Sequence, residues 1–159
     1  MLVLARAGAI FVGQGVGYGG VASYTALDGV PDSQRIELPV VEELQMGISV
    51  GLALQNYLVV SIYPRIDFLL RAMDQLVNHL DKLEAMSGGQ FKPRIIIRTR
   101  VGSRKPLDAG PQHSQDHTAA FRMMLTNVDV VRIERDAEIL PTYEAALASA
   151  RSTIVVEAL

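Results

Sequence analysis

The chain has 159 residues, a formal net charge of −2 and a hydrophobic residue content of 49%, with a mean hydropathy of +0.22. This length supports one domain with a real core and is too short for two ordinary domains. The small net charge gives little electrostatic reason to bind nucleic acid or an anionic membrane, so we expect neither partner. The apolar content is high for a monomer and predicts a buried interface with another chain.

The sequence contains no cysteine, which excludes disulfides, a thiolate nucleophile and a cysteine-ligated zinc site. The first residues, MLVLARAGA, carry their only charge after the apolar side chains, which is the reverse of a secretory signal. The most apolar stretch, Val50–Tyr63, is interrupted by Gln55 and Asn56 and is too short to span a bilayer. We therefore expect a cytoplasmic protein.

A glycine-rich loop follows the first predicted strand, Ala9–Val12. Three glycines of this loop fit the G-x-G-x-x-G pattern of a dinucleotide-binding turn, and Glu37 ends a second short strand about 17 residues later. The three are Gly15, Gly17 and Gly20. The chain between them and Glu37 contains Asp28-Gly29-Val30-Pro31 where that pattern requires a continuous helix, so nucleotide binding is the disfavoured alternative.

The stretch Leu38–Leu54, LPVVEELQMGISVGLAL, is predicted to be an apolar helix that opens with two carboxylates, Glu42 and Glu43. Negative charge is favoured at a helix N terminus, where Pro39 also fits the first turn, so both carboxylates could serve only the helix end. Successive helix positions point about 100° apart, so one carboxylate can be solvated while the other faces the core or a pocket. A carboxylate turned inward must find a donor or raise its pKa, and either outcome suits acid–base chemistry.

The same helix carries two further patterns. Gly47 and Gly51 lie one turn apart, which permits close approach of another backbone within the chain or across an interface. Residues 47–51 also match the G-x-S-x-G pattern of serine hydrolases, with Ser49 at the nucleophile position. That pattern requires a strand before the serine, whereas residues 42–46 are predicted to be helical, so we interpret Ser49 as a packing residue.

The rest of the chain alternates between strands and helices. The further predicted strands are Tyr57–Tyr63, Arg94–Arg98, Val128–Ile133 and Thr153–Glu157, and the further predicted helices cover residues 68–86, 116–124 and 137–150. The helix over residues 68–86 is expected to be the longest and to end at Gly88-Gly89. The alternation predicts an α/β fold: a three-layer sandwich with a mainly parallel sheet and helices on both faces.

The loop Thr99–Gln115 contains His113 and has 17 residues without internal periodicity. We expect this loop to be functional or mobile, because it is longer than a compact domain needs. His113, at the end of this loop and before a predicted helix, is suited to reach into a cleft. His113 and His117 have the spacing of one helix face and could ligate a metal, but no third ligand completes the set, and we predict no metal site. His79 is predicted to be a surface residue.

Several segments, in this order and at these separations, resemble the β subunit of thiamine-diphosphate-dependent 2-oxoacid (pyruvate) dehydrogenase E1. More broadly, they are similar to the pyrimidine-binding domain of the transketolase-like enzymes. The segments are LPVVEELQMGISVGLAL (38–54), FLLRAMDQLVN (68–78), MSGGQ (86–90), Arg98 and QHSQ (112–115). The resemblance extends over roughly residues 9–157 and implies that residues 1–159 form a single pyrimidine-binding domain.

The resemblance implies roles for four residues. Glu42 matches the glutamate that hydrogen-bonds the aminopyrimidine of thiamine diphosphate and favours its imino tautomer, which removes the proton from C2 of the thiazolium ring. Phe68 and Val41 match positions that bind the cofactor, and His113 matches the histidine on the substrate side that assists proton or acyl transfer. The expected catalytic residues are thus Glu42 and His113, and Glu42, Phe68 and Val41 are expected to bind the cofactor.

The chain departs from the family pattern in several ways. Gln14 stands where an acidic residue is usual, and residues 122–133 lack the His-Pro-Gly and Ser-Pro elements. The first helix of the family is expected to be truncated, and no C-terminal domain is expected. Nothing in the sequence resembles the Gly-Asp-Gly…Asn motif that binds diphosphate through magnesium. The chain therefore resembles half of an active site.

The resemblance implies a β-like subunit that shares thiamine diphosphate with an α-like partner, which would hold the diphosphate and Mg. We expect a homodimer of this chain alone and a heterotetramer with the partner, acting on a small 2-oxoacid or ketose. The alternative is a non-catalytic paralogue that keeps the fold and serves as a structural or regulatory subunit.

Overall fold

A single parallel sheet forms the centre of the molecule. The computed structural model describes residues 1–19, 22–103 and 108–159. The strands are β1 (Ile10–Gly13), β2 (Arg35–Glu37), β3 (Val59–Ile62), β4 (Ile95–Arg100), β5 (Val128–Ile133) and β6 (Ser152–Glu157). Neighbouring strands are parallel throughout, in the order β2-β1-β3-β4-β6-β5. The predicted α/β fold with a parallel sheet is confirmed.

The helices connect the strands. They are α1 (Leu2–Arg6), α2 (Ala22–Thr25), α3 (Glu42–Leu54), α4 (Ile66–Leu69), α5 (Leu83–Met86), α6 (Thr118–Met124) and α7 (Ile139–Ala148). Short 3₁₀ turns occupy Asp32–Gln34, Leu70–Ala72, Pro111–His113 and Asp136–Glu138, and Asp74–Leu80 is π-helical. Within the described ranges, no helix combines the length and the apolar character needed to cross a membrane.

Buried side chains form two clusters, one on each face of the sheet. One cluster contains Met46 of α3 and Phe121 of α6, and the other contains Leu4 of α1 and Tyr143 of α7. Successive residues of β4 alternate between the clusters, as the two-residue period of a strand requires. Both faces are therefore covered by helices, which explains why the strands read as continuous apolar runs.

The predicted continuous helix over residues 68–86 is wrong. The chain passes instead through α4, a 3₁₀ turn, the π-helical segment Asp74–Leu80 and α5. The wider π turns alter the register, so that the adjacent residues Leu80 and Asp81 are both buried, whereas Met86 is 63% exposed although the apolar period places it in the core. The predicted stop is observed, because Gly88 and Gly89 have positive φ angles of 60° and 82°.

The break in this helical region coincides with a buried carboxylate. Asp81 is fully buried, and its Oδ1 accepts the backbone N–H groups of Thr126, Asn127 and Val128 at 2.9, 2.7 and 3.1 Å. Its Oδ2 accepts the ammonium of Lys82 at 2.6 Å and the hydroxyl of Thr126 at 3.0 Å. Burial alone would raise the pKa of Asp81, but these hydrogen bonds outweigh it and hold the pKa below its ordinary value. Asp81 thereby fixes the chain that enters β5.

Replacing Asp81 with Asn should lower the free energy of unfolding by about 3 kcal/mol at pH 7, because the negative charge is lost and, if the amide oxygen accepts the three backbone N–H groups, the amide NH₂ faces the Lys82 ammonium and the Thr126 hydroxyl. The folded pKa lies below the unfolded value, so this stabilisation is complete above about pH 5 and is lost as the pH falls through the folded pKa. Urea unfolding of both proteins at several pH values measures the difference, which should shrink below about pH 4.

Asp136→Asn provides the control, because Asp136 is exposed in a 3₁₀ turn. We expect that substitution to change the free energy of unfolding by less than about 0.5 kcal/mol. A difference between wild type and Asp81→Asn that stays constant down to pH 2 would contradict the anchoring role of the Asp81 carboxylate.

Candidate functional site

The helix α3 begins later than the sequence predicted. Leu38 still donates its N–H to the Gly13 carbonyl at 2.9 Å, and Val41 is the N-cap residue of the helix, with φ −145° and ψ 62°. Pro39 therefore lies before the helix and not in its first turn. Glu42 becomes the first helical residue, at the point where the unpaired N–H groups favour negative charge.

The two carboxylates at this helix end separate as helix geometry predicts. Glu42 is only 8% exposed, whereas Glu43 is exposed. The phenol of Tyr63, at the end of β3, donates to the backbone carbonyl of Glu42 at 3.1 Å. Burial raises the pKa of Tyr63 above its ordinary value, so the phenol remains a donor at neutral pH. This bond fixes the start of α3 against the carboxyl end of β3.

A cavity of about 510 Å³ lies at the N terminus of α3. Val41, Glu42 and Arg71 line it, together with the apolar side chains of Val40 and Leu44. The Glu42 Oε2 atom lies 3.7 Å from Nε of Arg71, whose side chain is 78% exposed. In the part of the chain that the structure describes, no donor makes a hydrogen bond to this carboxylate. Glu42 therefore offers an open acceptor at the wall of a cavity.

A second cavity, of about 290 Å³, lies at the carboxyl ends of three strands. Its lining comprises Gln14 and Gly15 after β1, Ser23, Tyr63–Arg65 after β3, Phe68, and Arg98–Arg100 of β4. The connections from β1 and β3 run in opposite directions across the sheet, so the space between these strands is a topological switch point. Open α/β sheets bind ligands at such points. Phe68 thus lines this second cavity and not the one at Glu42.

His113 lies beside Phe68. The two rings make an edge contact, with centroids 5.4 Å apart and planes at 79°. Arg65 donates Nη1–H to the His113 carbonyl at 2.8 Å. A Cβ atom on Gly102 would lie 1.7 Å from that carbonyl oxygen, so only glycine permits this approach. The described parts of the loop Thr99–Gln115 are therefore packed against the chain between β3 and α4.

Asp67 adds a second contact to the same loop. Its Oδ1 accepts the backbone N–H and the side-chain amide of Gln115 at 3.4 and 3.1 Å, while Oδ2 is buried and has no partner among the residues that the structure describes. Nε2 of His117 lies 3.9 Å from Oδ1 and likewise has no hydrogen bond within the described ranges. His113 belongs to a 3₁₀ turn and His117 precedes α6, so they do not share a helix face. Among described residues, no three His, Cys, Asp or Glu side chains group as metal ligands.

The glycine-rich loop after β1 is occupied by a side chain of the protein itself. The backbone N–H groups of Gly15, Val16 and Gly17 donate to the Glu37 carboxylate, each at 2.7 Å. Gly20, the third glycine of the dinucleotide pattern, lies outside the described residues. A nucleotide-binding turn would offer these N–H groups to phosphate, so the observed bonds argue against that alternative.

The two patterns within α3 have structural explanations. Ser49 is fully buried in mid-helix and donates its hydroxyl to the Gln45 carbonyl at 2.8 Å, so it packs and is not poised on a strained turn. A Cβ on Gly47 would meet only Gln75 Oε1 at 3.8 Å, and one on Gly51 would meet nothing within 4 Å. The prediction that another backbone of the same chain approaches the Gly47/Gly51 face closely is therefore wrong for the described residues, because this face is open. Packing across an interface stays a prediction.

Three charged residues that contact the candidate site were not identified from the sequence. Arg65, Asp67 and Arg71 follow β3 in an otherwise apolar segment and contact His113, Gln115 and Glu42 respectively. The available signal was their position: charged side chains directly after the carboxyl end of a buried parallel strand lie where ligands bind. His79, expected at the surface, is exposed and lies 3.6 Å from Asp74.

Comparison of the sequence with known proteins finds relatives over part of the chain. No protein-family model matches. Pyruvate dehydrogenase E1 component subunit beta-4 of Oryza sativa is 35% identical over 115 residues, which are 69% of this chain and 28% of that protein. The E1 subunit beta of Rickettsia conorii is 34% identical over 86 residues, which are 54% of this chain and 26% of that protein. The chain thus spans about a quarter of the length of these relatives.

Solved structures share the fold over nearly the whole chain. A split-gene transketolase, described as an inactive β4 tetramer, matches with a TM-score of 0.71 and 13% identity, over 98% of this chain and 46% of that one. Transketolase of Campylobacter jejuni matches with a TM-score of 0.71 and 18% identity, over 97% of this chain and 23% of that one. At these identities the likeness shows the fold.

Proposed function

Because the chain is homologous to the β subunits of pyruvate dehydrogenase E1 and has a transketolase-like fold, we propose that it supplies the pyrimidine half of a thiamine-diphosphate site. In this proposal residues 1–159 are a single pyrimidine-binding domain, and an α-like partner holds the diphosphate and Mg. The observation that carries the proposal is the Glu42 carboxylate, which is buried at a cavity wall without a hydrogen-bond donor among the described residues.

The residues around Glu42 fit the aminopyrimidine ring. A ring N–H requires an acceptor, and Glu42 offers a carboxylate whose nearest cation, Arg71, is 3.7 Å away. Val41 lines the same cavity and supplies an apolar wall. A cavity of about 510 Å³ has room for a ring of this size. Phe68 lines the second cavity, and its expected role in binding the cofactor stays a prediction.

Glu42 would act by holding a proton at its carboxylate. Its carboxylate, in the first turn of α3, would accept a hydrogen bond from the pyrimidine ring and exchange a proton with it. Because Arg71 is largely exposed and its ion pair is long, this pair is weak and can open when a ring N–H enters. Bound thiamine diphosphate would supply the nucleophilic carbon and the electron sink.

His113 would act on the substrate side. Its ring packs against the edge of Phe68, and its backbone is fixed by Arg65 and by the approach of Gly102. The two ring nitrogens of a histidine in this position can donate and accept a proton. The reaction would be decarboxylation of a small 2-oxoacid or ketol transfer from a ketose, and the cytoplasmic location stays a prediction.

Glu42→Gln in the complex with the α-like partner should slow exchange of the cofactor C2 proton by about 100-fold or more, because an amide cannot exchange a proton with the pyrimidine ring. The measurement is hydrogen–deuterium exchange at C2, followed by quenching and NMR. Glu43→Gln is the matched control, since this neighbouring carboxylate lines the same cavity but is exposed, and it should exchange at close to the wild-type rate.

Exchange at the wild-type rate in Glu42→Gln would remove the catalytic role from this residue. That result would favour the alternative in which the chain is a non-catalytic structural or regulatory subunit.

His113→Ala should lower kcat by about 100-fold while cofactor affinity stays within a few fold, because the ring is assigned to the substrate side. Steady-state kinetics and calorimetric titration of the cofactor separate the two effects. His117→Ala is the comparison, because it removes a nearby histidine, directly before α6, and keeps the ring that contacts Phe68. Loss of cofactor binding with normal turnover of the remaining complex would show that His113 is structural.

A further inference from the structure

The second cavity, at the switch point between β1 and β3, is rich in positive charge. Arg65, Arg98 and Arg100 all line it, and its described lining includes no Asp or Glu side chain. The volume of about 290 Å³ corresponds to roughly ten water molecules, which is enough for a small organic molecule. Three guanidinium groups around one small cavity repel each other unless anions compensate them.

The arginines differ in how far the protein itself compensates them. Arg98 makes a bidentate pair with Glu157, through Nε at 2.8 Å and Nη2 at 2.6 Å. Arg65 donates one N–H to the neutral carbonyl of His113. Its remaining donors and its charge are unpaired among described residues. Arg100 is half-buried at the end of β4. Its guanidinium makes no hydrogen bond or ion pair within the described part of the chain. Two positive charges in this cavity are thus available to a ligand.

Thr99 of β4 also lines this cavity. It is 1% exposed, and among the described residues its Oγ1 has no hydrogen-bond partner. Buried hydroxyls in proteins are almost always satisfied, because leaving one unpaired costs free energy. Gln14 and Ser23 add further polar groups to the same lining. Among the described residues, the cavity therefore combines two unpaired cations with neutral polar groups, which suits an oxyanion.

We propose that this cavity binds the carboxylate or phosphate group of a small organic anion, with Arg65 and Arg100 as its charged ligands. Arginine matches the planar, two-pronged geometry of both groups. Arg65 would connect the anion to His113, because it also donates a hydrogen bond to the His113 carbonyl. Phe68 lines the same cavity and contacts the His113 ring. The assignment of this anion as the substrate rests on the proposed function: a carboxylate indicates a 2-oxoacid, and a phosphate indicates a phosphorylated ketose.

The test is titration of the ¹⁵N-labelled chain, without thiamine diphosphate, with pyruvate and separately with inorganic phosphate. The Nε–Hε signals of the arginine side chains report the site directly. We expect saturable shifts for Arg65 and Arg100 with one or both anions, and no saturable shift with hydroxyacetone, a neutral analogue of pyruvate. Arg100→Gln should weaken binding about tenfold, because one charge-assisted hydrogen bond is lost.

Two further variants make the result specific. Arg100→Lys keeps the charge and should lose less affinity than Arg100→Gln, whereas Arg6→Gln removes an exposed charge at the end of α1 and should leave affinity unchanged. Binding of pyruvate alone assigns the carboxylate as the ligand group, and binding of phosphate alone assigns the phosphate.

The proposal is overturned if neither anion binds, if hydroxyacetone binds equally well, or if Arg100→Gln keeps wild-type affinity while its thermal unfolding is unchanged. None of these outcomes affects the C2 exchange that depends on Glu42, so failure of the anion site is distinguishable from failure of the proposed cofactor role.

Discussion

The position of the candidate site depends on how closely β1 and β3 approach at their carboxyl ends. Gly13 pairs with Ile62, and a Cβ on Gly13 would lie 2.5 Å from the Ile62 carbonyl oxygen, so only glycine permits this approach. Gln45 of α3 is 2% exposed and spans the two strand ends, donating to the Ile62 carbonyl at 3.0 Å and the Val12 carbonyl at 3.4 Å. Together with the Tyr63 bond to the helix start, this amide docks α3 so that the Glu42 carboxylate faces the cavity.

The charged groups around this edge fall into two kinds. Some are satisfied within the protein: Glu37 accepts three backbone N–H groups, and Glu157 accepts both Arg98 and the phenol of Tyr143 at 2.7 Å. Others, the carboxylate of Glu42 and the guanidinium of Arg100 among them, have no hydrogen bond in the described residues. Satisfied groups hold the strand ends in place, and open groups can bind ligands only because that frame is rigid. We therefore assign function to the charged groups that have no hydrogen bond among the described residues.

Much of the fold could be predicted from the sequence, because strands buried on both faces have an unmistakable apolar pattern. Helix geometry also predicts that Glu42 and Glu43 can face different surroundings, and the family resemblance indicates Glu42 as the residue that faces the cofactor. The interrupted helix could not be predicted, since the apolar period over residues 68–86 is regular and the break depends on Asp81 meeting backbone groups 45 to 47 residues later. Likewise, the cluster of Arg65 and Arg100 forms only when β3 and β4 pair, so no local pattern reveals it.

The central claim is that this chain holds only one half of a shared site. Light scattering combined with calorimetry, on the chain alone and mixed with an α-like partner, tests it most directly. With thiamine diphosphate and Mg present, the account predicts a homodimer that binds the cofactor weakly by itself, and a heterotetramer that binds it at least about 100-fold more tightly. A stable monomer that binds thiamine diphosphate tightly without a partner would contradict the account.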